Sequence, residues 1–306
     1  MANVLSRQKL KPLFIGFGNQ ANEYAKVLSF LKIQISAVCV RNLNKDKSKI
    51  DRFKIKHRFS SINKALSTNT YNCVFVFLPW YTIDKKIIQI LKKTKKIIFC
   101  EKPIALSYQK IKKIHSISNK YNRNLFILYN RRFYFTLQFL EKNIENNMET
   151  EIFIPEKVKT LIKSLGKKID GKIKYHYSSH WIDFFKFLFR SKIIKIVKKK
   201  DNYLVLLNKT FKKKKIKINF FYSEEGRISA LFRSKKKIFK LNSLETLYEF
   251  NNRKSMFIKK IDETKMNKFK PGVLNLVKDI LNKKFHRLMK IDQLLNDYFH
   301  LKKLPH

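Results

Sequence analysis

Between residues 11 and 129, short apolar runs alternate with longer segments whose apolar positions recur at helical spacing. The runs cover residues 11–17, 33–40, 73–78, 97–100 and 125–129. Nearly every position in them is apolar, as in strands covered on both faces. Between the first two, residues 19–31 place Ala21, Tyr24, Ala25, Leu28 and Leu31 on one helical face. Residues 45–56, 61–66, 83–91 and 106–121 read as further helices, with Ser107 as the cap of the last. This β-α-β-α alternation predicts a doubly wound parallel sheet.

After about residue 130 the rhythm changes. Strand-like runs follow one another at residues 151–154, 203–207, 215–222, 228–232, 237–241 and 255–261. A helix over residues 180–189 precedes most of them, and helices over 273–281 and 291–301 close the chain. Residues 141–150, polar and rich in Asn, read as a helix end and loop. Strands in succession with helices set apart predict an α+β domain built on an open, mostly antiparallel sheet. The expected division is a Rossmann domain over residues 1–129 and a second domain over 130–306.

Composition supports two packed domains. Hydrophobic residues are 44% of the 306, enough for substantial cores. No apolar run approaches the roughly 20 residues of a membrane span. Residues 13–18 are too short for a secretory segment. A soluble cytoplasmic protein is therefore expected. Cys39, Cys73 and Cys100 are an odd number of thiols outside any metal spacing, so buried free thiols and no metal site are expected.

Lys and Arg number 69 against 22 acidic residues, a formal net charge of +47. Such a field draws polyanions. The lysines are nevertheless scattered along the chain, at 92–93, 95–96, 198–200, 212–215 and 235–237 among others. Aromatic residues sit inside apolar runs rather than interleaving with cations on one face, so nothing here builds a base-stacking platform. Lys, Ile, Asn and Phe share A/T-rich codons, and base-composition bias is the simpler cause. Nucleic acid is not the expected partner.

Two motifs carry chemistry. Gly16-Phe17-Gly18-Asn19-Gln20-Ala21 fits G-x-G-x-x-G/A between the first strand and the first helix. The first Gly permits a tight turn, the second lets backbone approach a pyrophosphate, and Ala21 lets helix and strand pack closely. An acid that would bind the adenine ribose is expected about 20 residues on, but Val40-Arg41-Asn42 stands there. Arg41 suits a 2′-phosphate, which favours NADP slightly over NAD. Glu101-Lys102-Pro103 follows the run at 97–100, where strand ends of an open α/β sheet face the ligand crevice. A Lys there can bond a reacting hydroxyl and take its proton, and a Pro can hold the turn as a cis peptide.

The order of G-F-G-N-Q-A, then Leu78-Pro79, then E-K-P-I-A-L-S resembles the glucose–fructose oxidoreductase/inositol dehydrogenase/MocA family. Asn130-Arg131-Arg132-Phe133 is similar to its segment entering the second domain, and Ser178-Ser179-His180-Trp181-Ile182-Asp183 to its G-x-H-x-x-D element, with His180 and Asp183 one turn apart at a helix N-terminus. The resemblance implies NAD or NADP as cofactor and a sugar, cyclitol or nucleotide sugar as substrate. It implies that Lys102 is catalytic and that His180 assists proton transfer. The cofactor-binding set is then Gly16, Phe17, Gly18, Asn19, Gln20, Arg41, Leu78, Pro79, Glu101 and Lys102. The substrate-binding set is Arg131, Arg132, His176 and Asp183, with the two arginines gripping a phosphate or carboxylate. The resemblance also implies homo-oligomers formed through the open sheet face. Two departures stand out. His176 occupies a place where many members carry Asp, and Ile83 a place where many carry His. They motivate an alternative: a catalytically impaired member that binds dinucleotide as a sensor or scaffold.

Overall fold

The computed structural model describes residues 10–145, 148–199, 202–209, 215–254, 256–266 and 268–304. Lys200, Lys212 to Lys214 and Ser255, named above within runs, lie outside the described residues. In chain order the first elements are β1 (Pro12–Ile15), α1 (Asn19–Phe30), β2 (Ala37–Cys39), α2 (Leu43–Arg52), β3 (His57–Phe59), α3 (Ile62–Leu66), β4 (Cys73–Val76), α4 (Ile83–Lys93), β5 (Ile97–Glu101), α5 (Tyr108–Lys120) and β6 (Leu125–Leu128). They are followed by α6 (Phe135–Asn143), β7 (Glu149–Glu156), α7 (Val158–Leu165), α8 (Ser179–Leu188), β8 (Ser191–Lys198), β9 (Tyr203–Lys209), β10 (Lys215–Tyr222) and β11 (Ser229–Arg233). The last are β12 (Lys237–Asn242), β13 (Thr246–Asn251), β14 (Met256–Asp262), α9 (Glu263–Met266), α10 (Val273–Leu281), β15 (Met289–Lys290) and α11 (Ile291–Leu301).

The chain forms two compact units. Met1–Tyr129 and Val273–Leu295 make the first, and Asn130–Gly272 and Asn296–His306 the second. The sequence reading assigned all of 130–306 to the second domain. Instead, α10 turns Val273, Leu276, Val277 and Ile280 inward and lies against α1. Next, β15 pairs antiparallel with β6, Met289 opposite Ile127. Periodicity finds an apolar helical face, but it does not say which sheet that face covers.

The first sheet runs β15-β6-β5-β4-β1-β2-β3, with β1 to β6 parallel. This is the doubly wound order 3-2-1-4-5-6 with one added antiparallel edge. Both β1 and β4 are buried at every position. The Phe14 ring lies 5.5 Å from that of Phe75, and Phe75 lies 4.9 Å from Phe99 across neighbouring strands. The edge strand β3 was not foreseen: His57, Arg58 and Phe59 are polar or partly exposed. Helix α2 starts at Leu43 because the Asn42 side chain accepts the Lys45 N–H at 3.0 Å. Ser107 caps α5 as expected, accepting from Lys110 N. The three thiols are free and buried, and burial pushes each of them up, Cys39 to about 11.

The second sheet runs β14-β13-β12-β11-β7-β10-β9-β8. All its pairings are antiparallel except β7 with β10. Its strands alternate. Ile152 and Ile154 of β7, Ala230 and Phe232 of β11, and Phe239 and Leu241 of β12 are buried, whereas Phe153 is 40% exposed. That is the pattern of a sheet covered on one face. The strands β8 and β13 and the helix α7 were not foreseen, and of α6 only its end near residue 141 was.

Candidate active site

In the first unit the glycine turn is built as its sequence requires. Gly16 has φ +90°, and a Cβ there would lie 2.4 Å from the Phe77 carbonyl oxygen. Only glycine lets the end of β1 pass that close to the end of β4. Gly16 N–H also donates to Cys39 O at 2.8 Å, tying the turn to β2. Gly18 then caps α1 in extended conformation, with open space around its Cα and no acidic residue in the helix's first turn. The first-turn amides and the positive end of the helix dipole therefore face an uncluttered surface. Ala21 is fully buried, as close helix–strand packing demands. Gly18 and Asn19 are exposed and Gln20 is half-buried. Phe17 differs from expectation. Its ring is buried 6.0 Å from Phe14 and 5.9 Å from Phe53, so this residue offers a nucleotide its backbone only.

Arg41 is exposed just beyond β2. Leu78 is half-buried and Pro79 exposed beyond β4. The Pro79 carbonyl accepts from the N–H groups of Thr82 and Ile83, which starts α4. Glu101 ends β5 and is buried. The Tyr24 phenol of α1 is held well above its usual value, first by burial and then by the Glu101 charge. Lys102 is half-buried, and its peptide to Pro103 is cis, as anticipated from the turn. In the sheet, β5 is separated from β1 by β4 alone. Since all three run parallel, the Gly16 turn, Pro79 and Lys102 lie along one sheet edge.

In the second unit, Asn130–Phe133 form a 3-10 turn. Asn130 Nδ2 donates to Pro271 O at 2.9 Å. Gly272, at φ +77°, sits where a Cβ would meet the Asn130 carbonyl oxygen at 2.1 Å. His180 lies on α8, buried, with its ring centroid 6.3 Å from that of Trp181. The expected helix N-terminus is absent at this point. Residues Lys174–Ser178 wind as a π-helical turn that runs into α8, with helical angles already at Ile173. His180 therefore stands inside continuous helical backbone, past a π turn of the kind often found at functional sites. His176 lies within that turn, buried, its ring 4.8 Å from that of Tyr177.

The expected substrate set divides. Arg132 and Asp183 are buried and bound to each other: Nε donates to Oδ2 at 2.8 Å and Nη2 to Oδ1 at 2.6 Å. A bidentate pair of this kind is a structural clamp, so neither charge is presented to a ligand. Beside it, Lys186 of α8 pairs with Asp297 of α11. Arg131 behaves differently. It is half-buried, with its guanidinium carbon 3.1 Å from the centre of the Trp181 ring.

Several groups here gave no signal in sequence. Glu156, at the end of β7, is buried and accepts from the Ser178 hydroxyl. Tyr134, raised to about 12 chiefly by burial, interacts with Arg131 and reaches Glu245 at 3.5 Å. Glu263 is buried and accepts from Phe135 N at 2.6 Å, closing the start of α6. Its partners lie 128 residues apart in sequence, beyond the reach of any local motif. Among the described residues no group of three or more His, Cys, Asp or Glu is placed to hold a metal, and no helix is long and apolar enough to cross a membrane.

Comparisons bear on this geometry. Residues 10–129 match the family model described as an oxidoreductase family with an NAD-binding Rossmann fold, GFO_IDH_MocA. No curated protein matches the sequence. Solved structures match along almost the whole chain at low identity. One is an Agrobacterium radiobacter oxidoreductase in complex with NAD+, L-tartaric acid and magnesium: 14% identity, 96% of this chain and 95% of that one covered, TM-score 0.73. Another is a super-repressor mutant of Gal80p from Saccharomyces cerevisiae: 13% identity, 97% and 95% covered, TM-score 0.78. A third is the WlbA dehydrogenase of Chromobacterium violaceum with NADH and UDP-GlcNAcA: 12% identity, 95% and 91% covered, TM-score 0.67. These likenesses establish a shared fold.

Proposed function

We propose, because residues 10–129 match the model of the oxidoreductase family with an NAD-binding Rossmann fold, that this protein is an NAD(P)-dependent dehydrogenase or reductase. Its substrate is the CH–OH or ketone group of a sugar, cyclitol or nucleotide sugar. The observation that carries this reading is the placement of Lys102 on the same sheet edge as the Gly16 turn. The residues present fit a dinucleotide. A Cβ at Gly16 would clash with the chain, and the start of α1 carries no acid to repel a pyrophosphate. Gly16, Gly18 and the first turn of α1 would hold the pyrophosphate, with Pro79 and the backbone of Glu101 flanking the path toward Lys102. Arg41 would meet a 2′-phosphate, which favours NADP. The nicotinamide, when bound, supplies or accepts the hydride.

In oxidation, the substrate's O–H proton passes to the neutral amine of Lys102 as the carbinol C–H bond breaks. In reduction, Lys102 returns that proton to the forming alkoxide. General acid–base catalysis of this kind contributes roughly 10²–10⁴-fold. One relative of the fold, solved with UDP-GlcNAcA, supports the substrate class.

The test is a fluorescence titration with NADPH and NADH, followed by turnover of Lys102→Ala on the best substrate of a sugar and nucleotide-sugar panel. We expect tighter NADPH than NADH binding, and turnover at saturating dinucleotide reduced about 10²-fold or more in the variant. Unchanged turnover would remove the mechanism, and an NADH preference would remove the role of Arg41. A second reading is favoured by Ile83 and His176 and by the likeness to Gal80p. In it the protein binds dinucleotide and acts as a sensor. Tight cofactor binding with no turnover across the panel selects that reading.

A further inference from the structure

Adjacent in sequence, Arg131 and Arg132 occupy opposite electrostatic settings. The charge of Arg132 is cancelled by the two-point bond to Asp183. Arg131 is held by the face of its guanidinium against Trp181, which adjoins His180 in the chain. A cation–π contact uses that face and leaves the in-plane N–H edges for acceptors. On those edges Arg131 interacts with the phenol of Tyr134, a neutral group. Its Nη1 is shut off from water and has no hydrogen-bond partner among the described residues. Burial pulls the Arg131 guanidinium down from its ordinary value, the sign of a cation whose lost hydration is incompletely replaced. Glu245 lies near enough to favour the charge, but its carboxylate accepts from the Tyr134 hydroxyl at 3.5 Å.

We propose that Arg131 is the receptor for an oxyanion, a carboxylate or phosphate, carried by the sugar substrate. The proposal rests on the dehydrogenase reading above and narrows its substrate to acidic or phosphorylated sugars. A planar fork already seated on Trp181 loses little freedom on pairing with an oxyanion, and the bond it forms is charge-assisted. The net charge of +47 draws anions toward every part of this protein but does not choose among them. Arg131 selects, because it offers directed donors held in place on the Trp181 ring.

The stacking partner supplies the readout. The chain has two tryptophans, so Trp80→Phe leaves Trp181 as the sole indole emitter. In that background, saturated with NADP+, three matched pairs are titrated: glucuronate against glucose, glucose 6-phosphate against glucose, and UDP-glucuronate against UDP-glucose. At least one member carrying the added carboxylate or phosphate is expected to shift Trp181 emission and bind about tenfold or more tighter than the counterpart that lacks it, as a hydrogen bond to a charged group allows. The pair that responds distinguishes carboxylate from phosphate. Arg131→Met keeps an unbranched stem over the indole and is expected to erase the preference while NADP+ affinity is unchanged. Arg131→Lys, which retains the charge and loses the fork, is expected to keep part of it. Equal binding within all pairs, binding of none of the sugars, or a preference that survives in Arg131→Met would overturn the proposal. Absence of NADP+ and NAD+ binding in the parent protein would instead overturn the dehydrogenase reading.

Discussion

In the first unit, β1 and β4 bury every residue, whereas β7 and β12 of the second unit bury one face and leave the other open. The difference decides what a side chain costs to change. Phe75 is sealed among the rings of Phe14, Tyr24, Phe77 and Phe99. Phe153 is comparable in size but stands 40% exposed on β7. In one sheet the strand is a layer of the core, and in the other it divides core from surroundings.

The widest separation between the two is expected from Phe75→Ala and Phe153→Ala. The first should lose about 3–5 kcal/mol to transfer and cavity terms. The second should stay within about 1 kcal/mol, since most of its cost depends on burial it lacks. Denaturant unfolding of both variants measures this, and equal losses would break the contrast. A smaller effect separates two glycines of one turn. Gly16→Ala adds roughly 1–3 kcal/mol of backbone strain and a clash with Phe77 O, and should abolish NADPH binding. Gly18→Ala enters open space and should leave the melting temperature nearly unchanged. Thermal unfolding with and without NADPH reads both.

The smallest expected effect is a pH dependence of the second unit. Burial raises the Glu263 carboxyl from 4.5 to about 7, against opposing bonds from the N–H groups of Phe135, Thr136 and Gly272. The folded state therefore holds this proton to higher pH than the unfolded chain does. Its stabilising contribution is complete below about 4.5 and is lost as pH rises toward about 7. The melting temperature should fall across that window, and the fall should be reduced in Glu263→Gln. A wild-type profile that is flat or rising there contradicts the assignment.

The same contrast explains what the sequence made legible. Continuous apolar runs such as residues 73–76 identify themselves, and the first sheet was readable apart from its two edges, the polar β3 and the two-residue β15. One-sided strands are harder. In β13 a Glu249 buried beside Lys237 interrupts the alternation, and β14 exposes Met256, Phe257 and Ile258 in succession. At the candidate site, the tight turn at Gly16 and the cis Lys102–Pro103 peptide were readable, because both are local backbone features. Arg132 and Asp183 were misread because 51 residues separate the two halves of their pair. A charge motif in sequence looks alike whether it faces a ligand or another side chain.

The return of Val273–Leu295 to the first unit sets an order of events on the ribosome. By the time residue 129 emerges, β1 to β6 have all been synthesised, yet the Phe285 ring that will lie 5.3 Å from Phe126 and the strand that will pair with β6 are still more than 150 residues away. Until then the β6 edge waits with unpaired backbone, and unpaired edges are where chains join wrongly. The first unit is begun first yet closed only after residues 130–272 of the second have been made, so a nascent chain arrested anywhere before residue 290 carries an incomplete sheet.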